Sequence, residues 1–255
     1  MTDDDPGWFE RAGANGRGAT AVREGSADQP REWPRLAVER GVVDDESAYY
    51  ECLREATLTA AREAVAERES ADDQQLVHAV RALDDCARTA NELTERVAEW
   101  AGTQDADAAV DIEYVRELAS RTPETPVEEQ VGSLAGRVAA LDDQQAQLRA
   151  YIERTAPEIA PNLAALAGPV LTARLVALAG GLESLAKKPS GTVQVLGAEE
   201  ALFAHLRGGA DPPKHGVIYT HEAVRGTAPE HRGSAARALA GKLTIAARID
   251  HYSGE

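Results

Sequence analysis

Histidine is the side chain most suited to binding a metal or moving a proton near neutral pH. Four histidines, His205, His215, His221 and His231, fall close together in the last quarter of the chain. Their spacings of 10, 6 and 10 residues fit no zinc-ligand pattern. Cys52 and Cys86 form no C-x-x-C pair and point to a reducing compartment. The chain contains no GxxxxGK[ST] phosphate loop, no GxGxxG fingerprint and no GxSxG elbow. The acidic pairs Asp72-Asp73, Asp84-Asp85 and Asp142-Asp143 sit in helical patterns, where a solvated face accounts for them. A glycosidase would need its carboxylates to flank a scissile bond. What the chain does offer is a pattern for meeting an anion. Gly197 precedes a helix whose first N–H groups are open to a phosphate, and Lys187 and Lys188 lie ten residues upstream. Glu199 and Glu200 answer the same helix dipole on their own. In the last helix Arg237 and Arg248, with Ser234 and Gly241 nearby, lie roughly opposite the apolar Leu239, Leu243 and Ala246. A basic recognition face and a solvated face fit that spacing equally well.

The elements that would carry these residues are helical. Aromatic residues are 4% of the 255, so the core must come from Ala, Leu and Val, a palette that favours helix over strand. Residues 1–44 are rich in Gly, Pro, Asp and Arg and read as a small, largely irregular segment, with Trp8-Phe9 and Trp33-Pro34 as apolar anchors. Within it, Gly16-Arg17-Gly18 reads as linker more readily than as an RNA contact. A helix capped by Asp45 follows. Leu76, Val80, Leu83, Ala87, Ala90, Thr94, Val97 and Ala101 are then spaced 4-3-4-3-4-3-4, as are Val127, Val131, Leu134, Val138, Leu141, Gln145, Leu148 and Ile152. Four heptads in each run predict an antiparallel coiled-coil hairpin within a helical region 45–155, with Thr94 and Gln145 as polar register positions. Beyond residue 156 we expect a globular module with one nearly uncharged helix over 163–185. A short extended piece at 192–196 and a last helix over 229–250 complete it. The expected fold is all-α.

Composition narrows the function. Asp and Glu total 43 against 27 Lys and Arg, a net charge of −16, and only four of the cations are lysines. That surface is expected of a protein selected for solubility in molar salt, a halophile's cytoplasmic protein. No apolar run reaches the ~20 residues of a membrane span, and the acidic Met1–Asp5 is unlike a secretion signal. The charge is divided unevenly, with a net of −17 over residues 1–155 and +1 over 156–255. A half that escapes acidification is the half expected to meet a polyanion.

Several motifs in that half resemble a known family. Ala186-Lys187, Thr192-Val193-Gln194-Val195-Leu196-Gly197-Ala198-Glu199, Pro213-Lys214-His215-Gly216-Val217-Ile218-Tyr219, Arg232-Gly233 and the run Ala238–Asp250 together resemble the Nop domain of archaeal box C/D ribonucleoprotein scaffolds. Gln75–Asp85 resembles the start of that family's coiled coil. The resemblance implies a non-catalytic scaffold. Its coiled coil self-associates, and its Nop domain (156–255) grips a kink-turn guide RNA together with a ribosomal-protein-like kink-turn-binding protein. Fibrillarin, the methyltransferase partner, would carry the S-adenosylmethionine for guide-directed 2′-O-methylation of rRNA or tRNA, so no cofactor is expected on this chain. The residues it implicates are Lys187, Lys188, Gly197, Ala198, Lys214, His215, Arg232, Arg237, Lys242 and Arg248. Glu200, Ala204 and Ser234 stand where relatives carry cations, a loss that matters little where salt screens over about 3 Å. The stretch before the first long helix is shorter than the family's fibrillarin-binding domain, with Trp8, Phe9 and Trp33 as anchors for a reduced version. The chain also ends where relatives continue. The competing expectation is a helical protein–protein adaptor without RNA contact.

Overall fold

A computed structural model describes residues 7–9, 18–25 and 31–253, so Gly16-Arg17 lies outside the described residues. Among those described there is no strand. The chain separates into two compact units, Met1–Ala71 and Asp72–Glu255.

The first unit holds α1 (Gly18–Glu24), α2 (Trp33–Glu39) and α3 (Glu46–Ser70). Where a largely irregular 1–44 is expected, the described residues include the short helices α1 and α2. Pro34 in the first turn of α2 has its φ already set for helix and lacks an N–H that would go unused there. Asp45 caps α3, its carboxylate accepting from Ala48 N at 2.7 Å. Phe9, Ala37 and Tyr49 are buried together, with Trp8 and Trp33 packed against them edge to face. Trp8 Nε1 donates to the Tyr49 hydroxyl at 3.0 Å, so the buried aromatic cluster keeps its polar tips satisfied. A groove of about 410 Å³ beside it is lined by Trp8, Val43, Tyr49 and Cys52.

The second unit begins with the hairpin, α4 (Asp72–Ala101) and α6 (Pro126–Ile159), with α5 (Ile112–Ser120) between them. One apolar cluster joins Ala90, Val97 and Ala101 to Val131, Ala135 and Val138, and the other joins Leu76, Val80 and Leu83 to Ile152 and Ala156. The end of one helix thus meets the start of the other, which is antiparallel pairing. Leu76, Val80, Leu83, Val97, Val131 and Val138 are buried, whereas Leu134, Leu141 and Leu148 are half-buried, as are Thr94 and Gln145. At the tip, α5 inserts Tyr114, Val115 and Leu118 into the far cluster, and Arg121 and the Tyr114 hydroxyl both reach Asp105.

The hairpin does not end at residue 155. Its helix α6 runs through Pro157 to Ile159, and the cluster at its root takes in Ala173 from the following module. Arm and module are therefore one unit, unlike the expected division at 155/156. The apolar stretch over 163–185 is three helices, α7 (Pro161–Ala167), α8 (Pro169–Ala179) and α9 (Leu182–Lys187). It breaks at Gly168 (φ +79°) and at Gly180 and Gly181 (φ +87° and +124°), conformations a side chain would oppose. The α7–α8 bend is 117°, and no single helix among the described residues is long and apolar enough to cross a membrane. Then come α10 (Ser190–Val195), α11 (Glu199–Leu206), a 3₁₀ turn at Val217–Thr220, α12 (Glu222–Arg225) and α13 (Arg232–Tyr252). The extended piece expected at 192–196 is instead helix α10, because its Val-rich residues pack on α13 rather than pairing with a strand.

Two acids from distant positions lock this module. Buried Asp250 of α13 accepts from Asn162 N (3.0 Å), Asn162 Nδ2 (2.8 Å) and Leu163 N (2.9 Å), capping an α7 whose own cap position is Ala160. Asp73 of α4 accepts from Leu182 N at 2.8 Å, doing the same for α9 after Gly181. Asp84 holds Arg174 at 2.5 Å, and Arg116 of α5 bridges Asp142 and Asp143. The acidic pairs expected to be merely solvated thus each place at least one member in a tertiary contact.

Candidate functional site

Two loops that are distant in sequence are pinned together at the centre of the basic region. Gly216 N donates to Gln194 O at 2.9 Å, Val217 N to Leu196 O at 2.7 Å, and Gln194 Nε2 to Lys214 O at 2.8 Å. The approach is too close for any other residue at 216. A Cβ on Gly216 would lie 1.9 Å from Leu196 O and 2.7 Å from Val195 C, both backbone. Gly197, at φ +82°, turns the chain out of α10 beneath Val217. Its N–H is taken by Glu199 Oε1 at 2.9 Å, and α11 has only eight residues. The Gly197 N–H is therefore taken by the chain's own carboxylate.

The pairing gathers a cation-rich surface. His215 stacks on Tyr219, their ring centroids 4.6 Å apart, and the Arg232 guanidinium lies 5.5 Å from the same tyrosine ring. Arg232 Nε donates to Thr227 O at 3.1 Å and a second guanidinium nitrogen donates to Arg225 O at 3.5 Å, which fixes the fork. Gly233 lies against the Lys214 side chain, at 3.8 Å from a built Cβ. Tyr219 is the ring on which the imidazole and the guanidinium converge, and the sequence offers it only as part of a motif. Behind it a groove of about 490 Å³ runs past Gly197, Gly216, Arg174, Asp84 and Arg81.

The remaining candidates line α13 and the turn beside it. Arg237 and Lys242 are exposed on α13. Arg248 is exposed, with Nε donating to Ala186 O at 3.1 Å, so it caps the C-terminus of α9 and is held in one pose. Lys187 pairs with Glu183 at 2.5 Å, and that carboxylate raises the lysine's pKa above its ordinary range. Lys188, half-buried, follows directly. Eight of the ten residues therefore sort along α13, while Gly197 and Ala198 stand at the turn out of α10. His215 and Arg232 meet Tyr219 at its N-terminal end with Lys214 against Gly233, and Arg248 meets Ala186 O near its C-terminal end, just before Lys187 and Lys188 in the chain. None of the histidines joins a metal-binding group among the described residues. His221 instead caps α12 through Nδ1 and meets Leu166 O through Nε2.

An antiparallel helical arm rooted in an all-helical module with a stacked cationic surface is the architecture of a binding scaffold. Residues 42–255 match the Nop family, described as "snoRNA binding domain, fibrillarin", and the chain belongs to that family. It is 55% identical to a NOP5 family protein of Methanocaldococcus jannaschii over 117 residues, 46% of this chain and 28% of that protein. Nucleolar protein 58 of Emericella nidulans is 31% identical over 216 residues, 70% of this chain and 37% of that protein. The chain thus spans well under half the length of these curated relatives. Among solved structures, a fibrillarin/Nop5p complex contains a similar chain, with a TM-score of 0.52 at 25% identity over 94% of this chain and 86% of that one.

Proposed function

We propose that this chain is a non-catalytic scaffold of a box C/D ribonucleoprotein. Its C-terminal module clamps a kink-turn guide RNA together with the small protein bound at the kink. Its hairpin pairs with that of a second copy, and the assembled particle positions fibrillarin for guide-directed 2′-O-methylation. Family membership supports this reading, as does the fibrillarin/Nop5p complex among its structural relatives. The observation that carries the RNA part is the pinned loop pair, which brings His215 and Arg232 onto the half-buried Tyr219 ring with Lys214 next in the chain. Such an arrangement gives charge for phosphates and a stacked imidazole for a base or 2′-hydroxyl. Any transferable methyl group belongs to fibrillarin in this scheme.

The test is a gel shift in high KCl with a kink-turn RNA, with and without the kink-turn-binding protein, and with a scrambled stem as control. A supershift restricted to the matched RNA–protein pair is expected. Arg237→Glu combined with Lys242→Glu, two exposed positions on α13, should abolish it without altering the helical signal. A supershift that survives RNA digestion would favour the adaptor reading instead.

A further inference from the structure

A single imidazole ties together two helices of the C-terminal module. The Ala223 N–H can only donate, so His221 Nδ1, 3.1 Å away, must accept and carry no proton. The Leu166 carbonyl can only accept, so Nε2, also at 3.1 Å, must carry the ring's proton. The two partners together fix one neutral tautomer in one pose. His221 is the N-cap of α12, whereas Leu166 O belongs to the last turn of α7. Carbonyls there lack intrahelical donors, and the chain turns at Gly168 into Pro169, which has no N–H to offer.

Each end of this link leads to a part the site depends on. The His221 N–H donates to Ile218 O at 3.1 Å, closing the 3₁₀ turn that presents Tyr219. Arg225 O, in α12, and Thr227 O, just beyond it, are the two carbonyls that hold the Arg232 fork. On the other side, Ala160 is at once the C-cap of arm helix α6 and the N-cap of α7, so the arm passes directly into α7. The first turn of α7 is clasped by Asp250. Resting on the RNA-clamp reading above, we propose that His221 is a positioning residue of the cationic surface. Its Nε2–H strut to Leu166 O holds the Tyr219 ring, and with it His215 and Arg232, in a fixed pose relative to the arm. The Nδ1 bond caps α12; the Nε2 bond registers the site. A surface held in this way has less to order when its ligand arrives, and losing one such hydrogen bond corresponds to about fivefold in affinity.

Asparagine and glutamine separate the two ring nitrogens. Asparagine places an acceptor where Nδ1 stands, and glutamine carries a donor out to where Nε2 stands. The full chain is compared with His221→Gln and His221→Asn at pH 8, where an imidazole is ordinarily uncharged. One readout is the affinity of the supershift with kink-turn RNA and the kink-turn-binding protein. The other, taken by NMR on the free protein, is the set of His215 ring signals, displaced by the ring current of Tyr219 in the 4.6 Å stack. His221→Gln should bind within about twofold of the wild type and keep those signals in place. His221→Asn, although a good N-cap, should bind about fivefold more weakly and move the His215 signals toward those of an unstacked imidazole. The reverse order would make His221 a cap of α12 and nothing more. Wild-type behaviour in both variants, or an equal loss in both with a lowered Tm, also overturns the strut. Absence of a supershift with the wild type would sink the RNA reading, and the His215 signals of the two variants would still decide the strut.

Discussion

Asp250→Ala is the sharpest probe of how the C-terminal module is held. The carboxylate serves three donors on α7 from 88 residues away, and Ala160 offers no side-chain cap in its place. Removing it leaves Leu163 N buried and without a partner, at about 1–3 kcal/mol. The partly exposed Asn162 N can recruit water and adds roughly 0.5–1 kcal/mol, in the range of a lost N-cap. The sum is about 1.5–4 kcal/mol, a substantial part of the 5–15 kcal/mol that a typical protein commands. For a unit of this size each kcal/mol moves Tm by about 2–4 °C, so a loss of roughly 3–16 °C is expected. Asp250→Asn, which keeps one acceptor oxygen, should lose about half as much. Thermal melting by circular dichroism reads both, and repeating it at about 0.5 and 3 M KCl separates a buried hydrogen-bonded cap from a screened surface charge. The decrement should be the same at both salts. A shift below about 2 °C for the alanine variant, or one that disappears in high salt, would refute the long-range cap.

Gly216→Ala should be far more damaging than its size suggests, because the added methyl meets backbone atoms of Val195 and Leu196 that cannot rotate away. A cost of about 1–3 kcal/mol is expected, read as a lowered Tm and a weakened RNA supershift. Gly191→Ala, whose Cβ meets open space within helix α10, should be neutral or slightly stabilising, and equal effects of the two would count against the pinned-loop geometry. At the arm's tip, Asp105 accepts from Asp107 N, Arg121 and the Tyr114 hydroxyl, which together lower its carboxyl pKa below the ordinary range. Its contribution to stability is present above the ordinary carboxylate pKa and is lost as pH falls through the lowered folded value. Burial and Asp105 raise the Tyr114 phenol, so its contribution is present below the ordinary phenol pKa and is lost as pH rises through the raised folded value. Urea midpoints followed by tryptophan fluorescence, Trp100 lining the same groove, should therefore decline at both extremes. Tyr114→Phe should flatten the alkaline limb; an unchanged alkaline limb would show that Tyr114 does not link this tip to pH.

The hairpin was legible because its seam is a period, and a period survives without knowledge of partners: residues 76–101 and 127–152 announce two long helices of matched length. The three-helix break at Gly168 and Gly180-Gly181 was hidden because a uniformly apolar stretch has no face to show where it turns. Residues 192–196 looked extended from β-branched content, whereas tertiary packing against α13 decided for helix. The acids misled for a related reason. Asp73, Asp84 and Asp250 look in sequence like any solvated carboxylates, and only the arrival of Leu182, Arg174 and Leu163 from far along the chain gives them work.

The same logic explains how the basic residues sort. Spacing along one helix could place Arg237 and Arg248 on a common flank. It could not show that Arg248 is anchored to Ala186 O while Arg237 is free of the neighbouring helix, nor that Tyr219 supports both His215 and Arg232. Those distinctions depend on α9, α10 and the 214–219 loop converging on α13. That convergence is fixed in turn by Gly216 pressed against Leu196 and by Asp250 clasping α7. In a chain this acidic, three acids of the C-terminal module are spent on partners inside it. Glu199 takes Gly197 N, Glu183 takes Lys187, and Asp250 is buried. Neutralising those acids should therefore weaken the scaffold without strengthening its hold on a polyanion, which is the opposite of what a simple count of surface charge would suggest.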